Sequence, residues 1–236
     1  MITTLLIVCL IVMCSSSLAS QGLNRKPGWP GTALSGTDCY GKLTGYGPHD
    51  YNTEKEKIWE VEAFHFLPKM ESLDGEYKYK ILASNFDYTL RAVPNHHRAL
   101  WAYSRLYLRA LKYSGRAALE ESERAQKSTA APECYFQRAK VFNPNDWMVW
   151  AIYGIYLHKR GELQASLTEY QRAEEELPNH AELIYNMGLL YFDMGDLAKA
   201  RDYADRAENL GYPLRGLDRK IIDAGRERRE DMPATR

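Results

Sequence analysis

The sequence has no excess of charge of either sign and no recognisable catalytic motif. Its 236 residues include 31 Lys or Arg and 31 Asp or Glu, so the formal net charge is zero. This balance argues against a nucleic-acid-binding protein and against an acidic tail protein. No G-x-S-x-G, H-E-x-x-H, Walker loop or dinucleotide fingerprint is present. We therefore expect a protein that is not an enzyme and that needs no cofactor.

Long apolar runs are also scarce. The apolar run from Thr4 to Cys14 falls short of the about 20 residues that a transmembrane helix requires. Residues 1–19 carry no charged side chain, and Ser17-Leu18-Ala19 forms a small-x-small cleavage site. These features predict a signal peptide at 1–19 and an exported protein without a stable membrane span.

Cysteine is rare, with four in the chain. Cys9 and Cys14 lie within the predicted signal peptide, which leaves Cys39 and Cys134 as an even pair in an oxidising compartment. One interpretation is a Cys39–Cys134 disulfide. The other is a small buried thiol on a packed helix and a separate loop thiol. The residues alone leave both open.

The histidines do not form a metal-binding pattern. His96 and His97 are adjacent, so they point to different faces of a helix. Cys39, His49 and His65 form the remaining metal alternative, but they span two irregular segments. We expect no metal site. The alternative function is a small-ligand, metal-binding or enzymatic accessory protein that uses the Gly-rich N-terminal segment and the histidines.

The most regular stretch runs from Trp147 to Pro178. It reads W-x-x-W-x-x-Y-G-x-x-L, then S-x-x-x-Y-x-x-A, then L-P-N. Gly154 is expected to let two helices approach closely, Gly161 to end the first helix, and Asn179 to cap the next one. Pro-Asn pairs recur at 94–95, 144–145 and 178–179, at intervals of 144 − 94 = 50 and 178 − 144 = 34 residues.

These residues resemble the tetratricopeptide repeat (TPR), a 34-residue unit with the signature W-x-x-L-G-x-x-Y, then A-x-x-x-F, then P. The residues that carry the match are Trp150, Tyr153, Gly154, Leu157, Ser166, Tyr170, Ala173 and Pro178. The chain resembles small exported bacterial TPR proteins. The resemblance implies an all-α, right-handed array of helical hairpins in the periplasm, with an irregular N-terminal segment and a C-terminal capping helix.

The chain divides into four parts on this interpretation. The signal peptide at 1–19 precedes a Gly/Pro-rich segment at 20–74, which includes a short helix. A TPR domain at 75–224 follows and ends in a capping helix at 214–224. Within this domain, the longer interval predicts an insertion near 114–131 with a solvated helix at 117–127. Residues 225–236 are charged and predict a disordered tail.

In the TPR family, the first helix of each repeat lines a concave surface that holds peptides or partner proteins. The resemblance implies such a scaffold here, with no nucleic-acid partner. The residues that it places on this surface are Arg98, Trp101, Arg105, Arg109, His158, Lys159, Tyr185 and Asn186. The arginines and Trp101 suggest an acidic partner segment or a terminal carboxylate. The alternative is a solvated face whose arginines pair with nearby acids.

The sequence G-Y-G-P-H-D-Y-N at 45–52 predicts a turn, since Pro48 and Asp50 favour one. Tyr46 and Tyr51 are suited to fix this turn to a surface. A loop that covers exposed helix and a loop with a function of its own both fit the residues.

Overall fold

The computed structural model describes residues 29–42, 46–74, 77–126 and 129–230. Within these ranges the chain is helical, and its one β feature is an isolated bridge between Thr32 and Asp38. The all-α fold predicted from the sequence is confirmed. The predicted signal peptide at 1–19 and the predicted tail from 231 onward lie outside the described residues.

The helices form consecutive hairpins. In chain order they are α1 (Lys55–His65), α2 (Pro68–Glu71), α3 (Tyr79–Ala92), α4 (His97–Gln126), α5 (Pro132–Phe142), α6 (Trp147–Arg160), α7 (Leu163–Glu176), α8 (Ala181–Asp193), α9 (Leu197–Asn209) and α10 (Gly216–Glu230). The hairpins are α1 with α3, α4 with α5, α6 with α7, and α8 with α9, and α10 packs against the last of them.

The spacing of the hairpins follows the predicted repeat. Helix α8 begins 181 − 147 = 34 residues after α6, whereas α6 begins 147 − 97 = 50 residues after α4. The extra residues lengthen α4, which Gly115 interrupts with a φ of 75° and a ψ of 164°. Helical structure then continues to Gln126, so a helix forms where the sequence predicted one at 117–127, as the second part of α4. Lys127 lies outside the described residues.

The α6–α7 hairpin is tightly packed because Gly154 has no side chain. A Cβ atom at Gly154 would lie 2.5 Å from Cδ1 of Tyr170. Across the same interface, Ser166 Oγ donates a hydrogen bond of 2.8 Å to the Gly154 carbonyl. Gly161 ends α6 in the left-handed conformation, with a φ of 80°. The roles predicted for Gly154 and Gly161 are confirmed.

Histidines, not asparagines, cap the helices that follow two of the Pro-Asn pairs. His180 Nδ1 accepts a hydrogen bond of 3.3 Å from Leu183 N at the start of α8. His96 Nδ1 accepts one of 3.2 Å from Ala99 N at the start of α4. The prediction that Asn179 caps α8 is wrong, because the capping side chain belongs to the residue just before the helix and Asn179 lies one residue further upstream.

Both ends of the array differ from the predicted boundaries. Helix α1 packs against α3, so the first hairpin begins at Lys55, upstream of residue 75. Helix α10 continues past 224 to Glu230, so residues 225–230 are helical although the sequence assigned them to the tail. Glu and Arg, which make up most of this stretch, are strong helix formers.

A disulfide joins the N-terminal segment to the array. Cys39 and Cys134 form the disulfide that the sequence left as one of two alternatives. Beside it, the Trp29 ring packs edge-on against Tyr135, with ring centroids 4.8 Å apart. Gln137 Nε2 also donates a hydrogen bond of 2.7 Å to the Thr32 carbonyl. These contacts hold residues 29–42 against α5.

Candidate functional site

The first helices of three successive hairpins, α4, α6 and α8, line a groove with a cavity of about 430 Å³. Most of its lining is apolar, and two partly exposed indole rings, those of Trp101 and Trp147, face it. The residues that complete the lining are Tyr51, His97, Arg98, Met148, Ala151, Ile152, Ile155, Tyr170, His180, Glu182, Leu183 and Asn186. Such a surface suits an apolar ligand with a few polar groups.

Asp146 lies at the centre of a polar network beside this groove. Its carboxylate accepts hydrogen bonds from His97 Nε2 at 2.8 Å, Asn95 Nδ2 at 2.8 Å and Asn52 Nδ2 at 2.9 Å. Burial acts to raise the pKa of Asp146, but the hydrogen bonds from these three side chains, together with the electrostatic attraction of His97, outweigh it and hold the pKa below its ordinary value. Asp146 is therefore an ionised carboxylate that fixes the orientation of the His97 ring.

The loop before α1 is part of the same network. Asp50 accepts hydrogen bonds from Asn95 Nδ2 at 3.1 Å and from Asn143 Nδ2 at 2.9 Å. Tyr51 packs its ring between His96 and His97, with centroid distances of 4.3 and 5.0 Å. Of the two interpretations of residues 45–52, the structure thus favours a loop that also contributes a side chain to the groove. Gly45 itself lies outside the described residues.

The three arginines of α4 that the sequence predicted to bind a partner, Arg98, Arg105 and Arg109, contact the chain's own preceding segment. Arg98 Nε donates a hydrogen bond of 2.8 Å to Glu71 Oε1, and its Nη1 lies 3.3 Å from Glu62 Oε1. Arg105 donates to the Glu71 carbonyl, and Arg109 Nη1 donates to the Leu73 carbonyl at 3.1 Å. These contacts hold the segment that contains α2 against α4. The same guanidinium groups were predicted from the sequence to bind an acidic partner, but here they donate to the chain itself.

The other residues predicted to bind a partner are distributed over three environments. Trp101 and Asn186 line the groove. His158 pairs with Asp193 at 2.8 Å, while Lys159 is exposed. Tyr185 is buried against the capping helix, where its hydroxyl accepts a hydrogen bond of 3.2 Å from Leu217 N. Only part of the predicted set therefore shares one surface.

Sequence reasoning missed the contributions of His97 and Trp147 to this surface, whereas the repeat positions had placed Glu182 on it. Trp147 is the first residue of α6, at a position that the predicted set did not include in any repeat. His97 escaped notice because its partner, Asp146, is 49 residues away in sequence. The signal that was available is the recurrence of a polar residue directly after each Pro-Asn pair, at 96, 146 and 180.

The alternative of a metal site formed by Cys39, His49 and His65 loses one of its ligands. Cys39 is in the disulfide, so it has no thiolate to offer. Among the described residues, no group of three or more His, Cys, Asp or Glu side chains is arranged to hold a metal ion. Residues 29–42, 46–74, 77–126 and 129–230 also contain no helix with the length and apolar character needed to cross a membrane.

Comparisons with known proteins give a structural likeness but no family assignment. No protein-family model and no curated protein matches the chain. Among solved structures, the chain is similar to one described as the crystal structure of YrrB, a TPR protein with an unusual peptide-binding site. The two are 21% identical over 75% of this chain and 76% of that chain, with a TM-score of 0.44. At this level the likeness does not extend to function. The 34-residue spacing and the paired helices of this structure define its class by themselves: an all-α, TPR-type array of helical hairpins.

Proposed function

We propose that this chain is a scaffold that binds an extended segment of a partner protein in the groove formed by α4, α6 and α8. The observation that carries the proposal is the apolar cavity between these helices, onto which Trp101 and Trp147 present partly exposed rings. Tryptophan side chains in apolar pockets often supply most of the binding energy of a protein interface.

The dimensions of the groove suit a peptide. Packed helices lie about 8–10 Å apart, so a segment that crosses from α4 to α8 travels roughly 16–20 Å. An extended chain rises about 3.3 Å per residue, so about five or six residues cover this distance. A folded partner that offers one exposed segment of this length also fits the proposal.

The test uses an array of N-acetylated hexapeptides with Leu or Phe at the two central positions and Lys, Gln or Glu at the flanking positions. Affinities for the full chain are measured by fluorescence anisotropy of labelled peptides. We expect Trp101→Ala and Trp147→Ala each to weaken the best peptides by tenfold or more, since removing such an anchor costs about 2 kcal/mol or more. Trp59→Ala is the matched control, because Trp59 is 69% exposed on α1 and does not line the groove. If no peptide binds, or if all three variants bind as the parent does, the groove is not the binding site.

We also propose that the protein is exported to the periplasm. The uncharged residues 1–19 with their cleavage site support this proposal, and so does the Cys39–Cys134 disulfide, because such bonds persist in oxidising compartments. The check is cell fractionation of a C-terminally tagged chain, followed by sequencing of its N-terminus. We expect periplasmic protein that begins after Ala19. Cytoplasmic protein that still begins at Met1 would contradict export.

A further inference from the structure

His97 offers an oriented hydrogen-bond acceptor to the groove. Its Nε2 lies 2.8 Å from both carboxylate oxygens of Asp146. An ionised carboxylate only accepts hydrogen bonds, so Nε2 carries a proton, and in the uncharged tautomer of the ring Nδ1 is then the acceptor. Among the described residues, Nδ1 has no hydrogen-bond partner. It is also absent from the set of polar atoms that are buried without a partner, so it is accessible from the groove. It is therefore open to a ligand.

Glu182 offers a second acceptor, on the far side of the groove. It is exposed on α8, lines the cavity, and makes no ion pair with any residue that the structure describes. The nearby His180 makes no ion pair with it, and its Nδ1 accepts the capping hydrogen bond from Leu183 N. A carboxylate in this setting attracts a cation from the ligand.

The positive charge that lines the groove is already compensated. Arg98 contacts two carboxylates, those of Glu71 and Glu62, through three of its nitrogen atoms. A carboxylate on the ligand would have to compete with both. The lining therefore presents acceptors on two sides, aromatic faces between them, and one arginine whose three nitrogen atoms each already donate to a carboxylate.

We infer that the groove selects a basic, apolar peptide segment, with a Lys or Arg facing Glu182, aliphatic or aromatic side chains against Trp101 and Trp147, and an N–H donor facing His97. This inference rests on the proposed function and gives the bound segment its chemistry. The indole rings favour a cation as well, since the face of an indole attracts ammonium and guanidinium groups. The inferred ligand is thus positively charged, whereas the arginines of α4 had suggested a negatively charged partner.

The hexapeptide array described above tests the inference through the flanking positions. We expect Lys-flanked peptides to bind the full chain about three- to tenfold more tightly than Glu-flanked ones, the range for partly exposed charge pairs. Glu182→Gln should reduce the affinity for the Lys-flanked peptides to that for their Gln-flanked counterparts. Glu182→Lys should reverse the preference. Asp202→Asn is the matched control, because Asp202 is an exposed carboxylate on α9 that does not line the groove.

The outcomes separate the inference from the proposed function. If peptides bind in a Trp101- and Trp147-dependent manner but without charge preference, or with a preference for Glu, the groove is a peptide site and the basic-ligand inference is overturned. A preference for Glu would support the acidic partner instead. If the tryptophan substitutions have no effect, the proposed function fails together with the inference. A preference for Lys that survives in Glu182→Gln would overturn the role of Glu182.

Discussion

At the residue scale, α6 and α7 pack closely at a position where a side chain is missing. Gly154 lies in the middle of α6, where glycine costs about 1 kcal/mol relative to alanine. The Tyr170 ring takes the space that a Cβ atom would need. The fold thus exchanges local helix propensity for close contact between α6 and α7.

Gly154→Ala tests this exchange. The new methyl group would meet the Tyr170 ring at 2.5 Å, so we expect the free energy of unfolding to fall by about 1–3 kcal/mol in spite of the better helix propensity. Gly225→Ala is the matched control, since a Cβ atom there meets no heavy atom within 4 Å and the substitution should be neutral or slightly stabilising. Urea denaturation followed by circular dichroism measures both. Equal effects of the two substitutions would contradict the packing argument.

His96 is a buried titratable residue whose ring serves two neighbours. Nε2 lies 2.9 Å from Glu62 Oε1, and Nδ1 accepts the capping hydrogen bond from Ala99. Burial lowers the pKa of His96 and outweighs the hydrogen bond with Glu62, which raises it. The rings of Tyr51 and Phe66 pack against it, and the guanidinium of Arg98 and the ring of His97 lie nearby. The folded state therefore holds a neutral His96.

This lowered pKa predicts a loss of stability in mild acid. Below about pH 6.5, the unfolded chain binds a proton at His96 that the folded chain does not. The contribution of His96 is therefore complete above that pH and decreases as the pH falls, by up to about 1.4 kcal/mol per pH unit. Urea denaturation between pH 7.5 and 5.5 should show a steeper decline for the parent chain than for His96→Asn, which retains a capping side chain but does not titrate. Parallel profiles would show that His96 does not cause the decline.

At the element scale, α10 closes the array by covering the end of the last hairpin. Within residues 216–226 of this helix, Leu217 and Ile221 are the buried side chains, and a Cβ atom at Gly188 of α8 would lie 2.5 Å from Leu217 Cδ2. Terminal units of a repeat array need such a cover, because no further repeat buries their apolar face. The helix is otherwise rich in charged residues.

Leu217→Ala is therefore expected to destabilise the C-terminal end. Truncation of a fully buried leucine costs about 2–5 kcal/mol. Ile222→Ala on the same helix is the control, since Ile222 is 46% exposed and its loss should cost less than about 1 kcal/mol. Hydrogen exchange measured by mass spectrometry should show faster exchange in α8, α9 and α10 for Leu217→Ala alone. If the two variants show the same exchange rates in α8, α9 and α10, then the packing of Leu217 does not stabilise this end of the array.

The hairpins were predictable from sequence because their determinants are local. Gly154, Gly161 and the 34-residue spacing act within one repeat and leave a direct signature. Helix α2 had no such signature, because it consists of four residues held in place by arginines of α4. The extent of α10 was underestimated because its charged C-terminal turns resemble a disordered tail in composition.

The candidate site was less predictable than the fold, because it depends on contacts between distant residues. Trp101 and Asn186 follow from the repeat positions alone. The engagement of Arg98 depends on Glu71, 27 residues away in sequence, and the orientation of His97 on Asp146. Neither pairing has a fixed spacing that a motif could describe.

At the scale of the whole molecule, the Cys39–Cys134 disulfide spans 95 residues of sequence. Closing a loop of this length stabilises a fold by up to about 4–5 kcal/mol in the chain-entropy model. We expect Cys39→Ser with Cys134→Ser to lower the urea midpoint and to expose residues 29–42 to proteolysis, while the helical circular dichroism signal remains. The parent chain, digested without reduction, should yield a peptide pair linked through Cys39 and Cys134. Free thiols at both positions in oxidised protein would contradict the bridge.

The carboxylate of Asp50 also has a mechanical consequence. It accepts hydrogen bonds from Asn95 and Asn143, which belong to the turns before two consecutive hairpins. A side chain from outside the array thus joins those two turns, in addition to the direct hydrogen bond of 2.8 Å from Asn95 Nδ2 to Asp146. The corresponding turn before α8 has no such brace among the described residues, since Asn179 is exposed there. We therefore expect the turn before α8 to be held less firmly than the two turns that Asp50 joins.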